Sequence, residues 1–469
     1  MTQIPILKGI YTDEDSDVRA ALPRNLMPVP SPDSGVSNGY LRPYDGIVAL
    51  PNQGPGPDRG SINWNGNCFR VMGSKLVLVT PTGNISILAD VGGVSETVSM
   101  DYSFDRLAIA SNGNLFYWDG TTLNQVIDPD LGNVVDMMWI DGYFMTTDGE
   151  FLIVTDLDDP LSVNPLRYGS SESDPDPIKA LIKIRNEAVA LNRHTIEVFK
   201  NVGGNGFPFQ RIPGAPIQRG TIGVHTVCLF EETVAFLGGG RNEPISVWVM
   251  NNSISTRIAT REIDQIIERY SEQELSVALL EPRVEKGHSL LYVHLPTITL
   301  VYDANASRTL GTQVWFSLST GIEEGIYRAR NIVRCYDKWW VGDSSTPQVG
   351  YLTDSIGEQW GLEIGWEFST PIVYNEGRGA IIHELELFTL TGNNDVNVQS
   401  DIGTQYSFDG RNWGQVEYIS MGTNGQTEKR VVWLNQGPMR DRRIQRFRGT
   451  SVSRASFLRL EARIEGLSV

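Results

Sequence analysis

The stretch WIDGYFMTTDGEFLIVTD, Trp139–Asp156, contains two Asp-Gly pairs, and each is followed by a short apolar run. An Asp-Gly pair between apolar runs is the strongest short signal for a β-hairpin. Both runs, Tyr143–Met145 and Phe151–Val154, are apolar on consecutive residues, so the predicted strands need cover on both faces. The sheet is therefore predicted to be antiparallel and yet buried on two sides. A radial stack of small antiparallel sheets, a β-propeller, meets this condition many times over.

The same unit of strand, tight turn and partner strand recurs along the chain. Seven such hairpins begin near Leu76, Leu107, Tyr143, Glu187, Thr233, Leu290 and Lys338. Their spacing of about 30 to 57 residues brackets the length of known propeller blades. We therefore predict a β-propeller-like domain with six or seven blades over residues 68–354, and several unrelated sandwiches remain the alternative.

The two ends of the chain differ from this repeat. Residues 1–67 are rich in turn residues and are predicted to be an N-terminal segment, either a linker or the source of a strand in GYLRPYDGIVAL that closes the propeller. From about Ser355 the strands alternate, as in AIIHELELFTL, and residues 355–469 are predicted to form a separate β-sandwich. One short helix is expected over Thr260–Ser271, capped by Thr260. The fold class is thus all-β.

Composition excludes several classes of function. Among 469 residues, 39 are Lys or Arg and 56 are Asp or Glu, so the net charge of −17 argues against general affinity for nucleic acid. The three widely spaced cysteines, Cys68, Cys228 and Cys335, indicate buried reduced thiols rather than a disulfide framework. Neither a signal peptide nor an apolar run of about 18 residues is found, so a soluble protein without a membrane span is expected.

No pattern of residues indicates a catalytic, metal or cofactor site. The five histidines, His194, His225, His288, His294 and His383, lie in different units without metal-ligand spacing. Two acidic clusters, Asp13 to Asp17 and Asp174 with Asp176, lack the turn glycine and distal glutamate of a calcium loop. The stretch SFDGRNWG resembles the Asp-box of sialidases, but Gly410 directly follows Asp409 and only one copy occurs. We therefore expect that the protein is not an enzyme.

One segment is strongly basic. Lys429–Arg459 contains nine basic residues and one acid, a local charge of +8 that leaves −25 on the remainder. A DNA-binding arm is one interpretation, but aromatic residues for base stacking are few there. We favour arginines that pair with acidic groups of the same or a neighbouring subunit. The candidate interface residues are Arg440, Arg442, Arg443, Arg446 and Arg448.

Several stretches in order along nearly the whole chain resemble one known family. They include LPRNLM, GYLRPYDGI and CFRVMGSKL near the start, NPLRYGSSESDPDPI in the middle, and STRIATREIDQIIERYS, HLPTITLVYDANAS and QVWFSL further on. With the arginine-rich end, they are similar to the tail hub, or nozzle, proteins of short-tailed bacteriophages, also called packaged-DNA stabilisation proteins. No single stretch is a chemical signature, so the resemblance rests on the number and order of matches.

The resemblance implies a structural virion protein of the tail, made in the host cytoplasm. It implies a ring of six copies that extends the portal and its adaptor, retains packaged DNA and carries a needle or plug protein and tailspikes or fibres. DNA would pass through the ring without sequence-specific binding, and no cofactor is implied. The alternatives from other classes are a propeller glycosidase or lyase, which needs convergent carboxylates, and a carbohydrate-binding adhesin.

Overall fold

The stretch around Trp139–Asp156 folds as predicted. In the computed structural model, Asp136–Ile140, Tyr143–Thr147 and Phe151–Thr155 pair as consecutive antiparallel strands. Asp141 and Gly142 have φ angles of 49° and 91°, the left-handed pair that a two-residue hairpin turn requires. Every residue of Tyr143–Thr147 is buried, and so are four of the five in Phe151–Thr155. The predicted cover on both faces is confirmed.

The structure describes residues 2–4, 22–31, 37–157, 160–171, 173–204, 206–214, 216–251, 254–375, 378–391, 400–450 and 455–467. The first four strands are β1 (Thr2–Ile4), β2 (Leu26–Pro30), β3 (Gly39–Pro43) and β4 (Gly46–Ala49). The helices are α1 (Arg261–Ile267), α2 (Glu272–Leu275) and α3 (Ala304–Leu310), with a 3₁₀ turn at Pro129–Leu131. In this part of the chain no helix is long and apolar enough to cross a membrane.

The next strands form six antiparallel sheets in chain order. The first sheet contains β5 (Asp58–Trp64), β6 (Asn67–Met72), β7 (Lys75–Val79) and β8 (Ile85–Asp90). The second contains β9 (Ser99–Tyr102), β10 (Leu107–Ser111), β11 (Asn114–Trp118) and β12 (Leu123–Gln125). The third contains β13 (Asp136–Ile140), β14 (Tyr143–Thr147), β15 (Phe151–Thr155) and β16 (Val163–Ser170). The fourth sheet contains β17 (Ile178–Ile184), β18 (Glu187–Asn192), β19 (Ile196–Asn201) and β20 (Phe209–Arg211). The fifth contains β21 (Gly220–Thr221), β22 (Val227–Phe230), β23 (Thr233–Gly239), β24 (Ser246–Asn251) and β25 (Ile254–Arg257). The sixth contains β26 (Leu279–Glu285), β27 (His288–His294), β28 (Thr299–Asp303) and β29 (Trp315–Leu318).

A seventh sheet closes the ring. It contains β30 (Ala329–Cys335), β31 (Lys338–Asp343) and β32 (Val349–Thr353), and β4 from the N-terminal segment is its outer strand. The innermost strands β5, β9, β13, β17, β22, β26 and β30 contact one another in that order, and β30 returns to β5. The seven sheets are therefore the blades of a β-propeller whose first and last blades meet at one seam. Apolar clusters fill the spaces between neighbouring blades, as with Leu107 and Val71 between the first two.

The last strands form a β-sandwich. They are β33 (Gly365–Ser369), β34 (Val373–Tyr374), β35 (Ala380–Thr389), β36 (Asp401–Ser407), β37 (Glu417–Ser420), β38 (Val431–Met439), β39 (Arg442–Thr450) and β40 (Phe457–Gly466). One sheet has the order β2-β3-β40-β35-β38, with β1 also paired to β40, and the other has the order β33-β39-β36-β37, with β34 paired to β39. Aromatic side chains, among them Trp366, Phe447 and Phe457, pack between the two sheets.

The N-terminal strands do not follow the boundary predicted after residue 67. β1, β2 and β3 lie in the sandwich, β4 lies in the last blade, and β5 lies in the first blade. The proline-rich stretch of β2 was a turn signal in the sequence, yet an edge strand tolerates Pro28 and Pro30 because its outward positions need no hydrogen-bond partner. Leu26 and Leu41 are fully buried in the sandwich core.

The single predicted helix over Thr260–Ser271 is shorter in the structure, and further helices exist. Thr260 does cap α1, because its hydroxyl accepts the N–H of Ile263 at 3.5 Å. Ser271 then starts α2 with a capping box to Glu274 instead of ending the first helix. α3 has no apolar period, and it is started by Asp303, which accepts the N–H of Ala306 at 3.0 Å.

Candidate functional site

The five arginines of the candidate interface lie on or beside β39, but they do not share one surface. Arg440 and Arg442 are exposed at the turn between β38 and β39. Arg443 is buried, and Arg446 and Arg448 are half-buried. Arg443 therefore offers no surface for a contact in the single chain, because strand pairing turns its side chain into the protein.

Arg443 is held inside the sandwich by neutral groups. Its Nη1 donates to the carbonyl of Gln436 at 2.6 Å and its Nε donates to Oε1 of Gln445 at 3.0 Å. The guanidinium also lies 3.9 Å from the centre of the Tyr406 ring. Burial lowers the pKa of Arg443 to about 10. These contacts make it a structural residue.

Arg446 rests on an aromatic side chain that the SFDGRNWG stretch supplies. Its guanidinium lies 3.5 Å from the centre of the Trp413 ring, and its Nε lies 3.5 Å from Glu367. Asp409 accepts the N–H groups of Arg411 and Asn412 at 2.8 and 2.7 Å, which folds the turn that places Trp413. The stretch is thus a structural turn, and its resemblance to an Asp-box has no further counterpart here.

Other basic residues of Lys429–Arg459 pair within the same chain. Arg430 binds Glu386 through two hydrogen bonds of 2.7 and 2.6 Å, and Arg459 pairs with Glu461. Arg454 lies outside the described residues. Among the residues described in this segment, Arg440 and Arg442 are the exposed arginines that form no ion pair.

A short N-terminal segment fixes the sandwich to the propeller. The backbone of Arg24 pairs with that of Glu367 in β33 at 2.8 and 3.2 Å, and the N–H of Asn25 donates to the carbonyl of Ser317 in β29 at 2.9 Å. The Asn25 amide also donates to the carbonyl of Gly365 at 2.7 Å and accepts the N–H of Ser319 at 3.0 Å. The two domains therefore share one hydrogen-bond network at the junction.

A groove of about 640 Å³ follows this junction. It is lined by Leu22, Arg24, Glu262, Tyr270, Ile326 and Glu367 among others. Burial raises the pKa of Glu262 to about 8. A carboxyl with a raised pKa in a cleft is a general signal for a functional site, but structural groups give the same signal. Glu367 already pairs with Arg446.

The central channel of the propeller contains buried carboxylates that join neighbouring blades. Asp136 accepts hydrogen bonds from Ser99 Oγ at 2.6 Å and from the N–H groups of Met137 and Leu181 at 2.8 and 2.7 Å. Burial raises the pKa of Asp136 to about 6. Asp101 and Glu281 likewise accept N–H groups of the next blade, from Trp139 at 2.6 Å and Ile332 at 2.7 Å. These carboxylates hold the ring together.

The channel is also narrow. The cavity among its inner strands measures about 380 Å³, room for about a dozen waters at roughly 30 Å³ each. A DNA duplex cannot pass through it. Any passage for DNA must therefore lie outside the propeller of a single chain.

The histidines and the second acidic cluster singled out in the sequence have structural partners. His294 lies 3.0 Å from Glu281, and His225 contacts the carbonyl of Thr97 at 3.2 Å. Asp174 pairs with Arg241 at 2.8 Å. The first acidic cluster lies outside the described residues, and within them no group of His, Cys, Asp and Glu is arranged to hold a metal ion.

Sequence reasoning missed the residues that hold the domains and blades together. Asn25 and Asp136 act through partners far away in the chain, so no local pattern marks their role. A signal was present for Asp136, because an aspartate that opens an apolar strand such as DMMWI is unusual when the strand is buried.

The fold and these contacts define a class: a two-domain, all-β platform whose buried polar groups serve its own architecture. A family model described as the β-propeller of bacteriophage P22 Gp10 matches residues 2–357, and one described as the β-sandwich of the same protein matches residues 365–465. The chain belongs to this family of bacteriophage tail proteins.

A curated relative is consistent with this assignment. The chain is 29% identical over 461 residues to the tail hub protein gp10 of Salmonella phage P22, covering 93% of this chain and 94% of the relative. The WD40 domain of Neurospora crassa Pan2 is similar with a TM-score of 0.43 and 11% identity, over 66% of this chain and 95% of that one. The N-terminal domain of Nup159 is similar with a TM-score of 0.41 and 7% identity, over 71% of this chain and 99% of that one.

Proposed function

We propose that the protein forms a tail hub ring of six copies that extends the portal and adaptor and helps to retain packaged DNA. The observation that carries the proposal is the match of both domains, in order and nearly end to end, to the family of a phage tail hub protein. The chain is accordingly a structural component of a phage tail and not an enzyme. Needle or plug protein and tailspikes or fibres are the proposed partners of the ring.

The geometry of one chain supports a ring with an open centre. Because the cavity in the propeller channel measures only about 380 Å³, DNA would pass between copies and not through any one of them. Six chains of −17 carry a total charge of −102, so phosphates meet few cations on the wall of such a passage. The DNA-binding arm interpretation is disfavoured, since Arg430, Arg443 and Arg459 are already occupied within the chain.

Within the candidate interface, Arg440 and Arg442 are the residues that we propose to contact another copy, because both are exposed. Both lie at one turn of the sandwich, which the Pro23–Asn25 segment fixes to the propeller. A charged turn on a rigid platform can meet acidic groups of a neighbour at the polar rim of a mainly apolar contact. Such a contact keeps most of its strength in moderate salt, whereas a purely ionic one weakens steeply.

The role in DNA retention is tested with particles that lack the protein. We expect them to package DNA and then lose it, and we expect purified protein added back to restore retention. The double variant Arg440→Glu/Arg442→Glu should fold and yet restore retention poorly. The matched control Arg378→Glu/Arg411→Glu makes the same charge change at exposed arginines of the same sandwich and should act like the natural protein. Particles that keep their DNA without the protein would refute the role.

A further inference from the structure

Side chains join the first blade to the last at their seam, in addition to the chain segment that leads from β4 of the last blade to β5 of the first. Arg70 of β6 donates to Asp58 through hydrogen bonds of 2.7 and 2.8 Å and reaches the carbonyl of Asn331 in β30 at 2.9 Å. Ser61 donates to the same carbonyl at 2.7 Å. No disulfide crosses this seam, since all three cysteines of the chain are free thiols.

Two of those cysteines face each other across the seam. Cys68 lies in β6 of the first blade, and Cys335 ends β30 of the last blade. Both are buried in one apolar cluster, and each thiol shifts the pKa of the other. Cys228 lies in the fifth blade, in a different cluster.

The residues on either side of Cys335 confirm this juxtaposition independently. Asn63, which opposes Cys68 in the β5–β6 ladder, donates its amide to the carbonyl of Arg334 at 2.8 Å. The hydroxyl of Tyr336 accepts the N–H of Cys68 at 3.2 Å and donates to the carbonyl of Val79 at 3.1 Å. Cys335 is thus held between two residues that both touch the strands around Cys68.

The surroundings also make the two thiols chemically unequal. The hydrogen bond from Cys335 and the nearby Arg70 guanidinium lower the pKa of Cys68, although burial opposes them. The same contact with Cys68, together with burial, raises the pKa of Cys335. The thiolate is the nucleophile in thiol oxidation, so Cys68 is the sulfur that reacts first.

We propose that Cys68 and Cys335 are a latent disulfide that locks the first blade to the last when the protein meets a peroxide. The Cys68 thiolate attacks hydrogen peroxide, the O–O bond breaks, and a sulfenic acid and hydroxide form. The Cys335 sulfur then attacks the sulfenic sulfur, and the S–S bond forms as one water leaves with the Cys335 proton. Both cysteine sulfurs are oxidised and one peroxide is reduced. Hydrogen peroxide is small enough to reach a buried pair during brief local opening.

A bond at this position would matter because it would add a second covalent link between the first and last blades, beside the chain segment between β4 and β5. A disulfide between Cys68 and Cys335 closes a loop that includes most of the propeller, and long loops give the largest stabilisation in the chain-entropy account. The change from a reducing to an oxidising surrounding rests on the tail role, since a tail protein is made inside the host and acts outside it. The chemistry of the pair does not depend on that role.

The test uses the purified full chain, reduced and then treated with hydrogen peroxide while folded. Free thiols are counted after unfolding in an alkylating reagent, and linked peptides are mapped without reductant. We expect the three thiols to fall to one, a single link between Cys68 and Cys335, and an unmodified Cys228. The oxidised protein should melt several degrees higher than the reduced one, and reductant should reverse the change.

Two variants keep the result interpretable. Cys228→Ser should form the same link as the natural protein, whereas Cys335→Ser should leave Cys68 as a sulfenic acid that dimedone labels. The peptide map of the natural protein decides the matter even if Cys335→Ser fails to fold. Three surviving thiols, oxidation to sulfinic acid without a link, or a link through Cys228 would each overturn the proposal, and none of these results bears on the tail role.

Discussion

The propeller and the sandwich each bury an arginine completely, and they do so in opposite ways. Arg70 at the propeller seam donates two hydrogen bonds of 2.7 and 2.8 Å to Asp58. Arg443 in the sandwich has only amide oxygens and the face of Tyr406. Burial lowers the pKa of both, but the attraction of Asp58 outweighs it for Arg70 and raises that pKa. One arginine is half of an ion pair, and the other is a charge without a carboxylate.

The channel adds the reverse case, a buried carboxylate without a cation. Asp136 has hydrogen bonds from Ser99 and two backbone N–H groups, and burial raises its pKa to about 6. The three groups together show that burial alone does not decide what a charged residue does. The partner decides: a carboxylate for Arg70, amide oxygens for Arg443, and a hydroxyl with backbone N–H groups for Asp136.

Asp58→Ala should have the largest effect, because it leaves the Arg70 charge buried and unpaired. Breaking a buried pair from one side costs about 3–5 kcal/mol of unfolding free energy. Urea denaturation followed by tryptophan fluorescence measures this loss. The double variant Asp58→Ala/Arg70→Met removes both charges and should recover much of it. A loss below about 1 kcal/mol for the single variant would mean that the pair does not hold the seam.

Asp136→Asn should remove a pH dependence that the natural protein shows. The folded pKa of about 6 lies above the ordinary value of 3.8, so the folded state binds the proton more tightly. The stability that this gives is complete below about pH 4 and is lost as the pH rises through 6. The difference of about two pKa units corresponds to ~3 kcal/mol of unfolding free energy.

The measurement is the difference in unfolding free energy between the natural protein and Asp136→Asn from pH 4 to pH 7. We expect this difference to fall as the pH rises. Asp105→Asn is the control, because the hydrogen bond from Arg106 lowers the pKa of this exposed carboxyl to about 2 and no change is expected in that window. A flat difference for Asp136→Asn would show that the carboxyl is already matched by its hydrogen bonds.

Arg443→Met should lower the unfolding free energy less, because Arg443 has no carboxylate partner that the substitution would leave buried and unpaired. The lost contact with the Tyr406 ring and the lost hydrogen bonds together correspond to about 1–2 kcal/mol of unfolding free energy. Arg442→Met changes an exposed neighbour on the same strand and should stay within about 0.5 kcal/mol. Equal losses for the two variants would contradict the distinction between buried and exposed arginines.

Removal of metal ions should leave the melting temperature unchanged. Within the described residues no cluster of metal-ligand side chains exists, and the aspartates of the second acidic loop pair with Arg241 and the backbone of His194. Thermal melting with and without a chelator measures this. A large downward shift would reveal a bound ion that supports the fold.

These contrasts explain how far the sequence alone could lead. The propeller was predictable because its signals are local, as with Asp141-Gly142 between buried runs. The division of the N-terminal strands between both domains was not predictable, because Arg24 and Asn25 form hydrogen bonds with β29 and β33, almost 300 residues or more away. A linker and a bridging strand look the same in composition.

The arginines of the candidate interface could not be sorted into exposed and buried ones from the sequence, because that depends on how the strands pair. Arg442 and Arg443 are adjacent and chemically identical in the sequence, but strand pairing sends one to the surface and the other against Gln436 and Tyr406. The sequence therefore identified a basic segment correctly but not which of its residues are free to bind. Reversing Arg443 would test folding, so only Arg440 and Arg442 test assembly.

The most direct test of the account is electron microscopy of the purified protein mixed with a portal and adaptor complex. We expect a six-fold ring of propellers at the adaptor end of the portal, with an open centre wide enough for a duplex. We also expect that Arg440→Glu/Arg442→Glu weakens this ring while Arg378→Glu/Arg411→Glu does not. Protein that stays monomeric beside intact portals, or that binds them without closing a ring around the exit, would contradict the account.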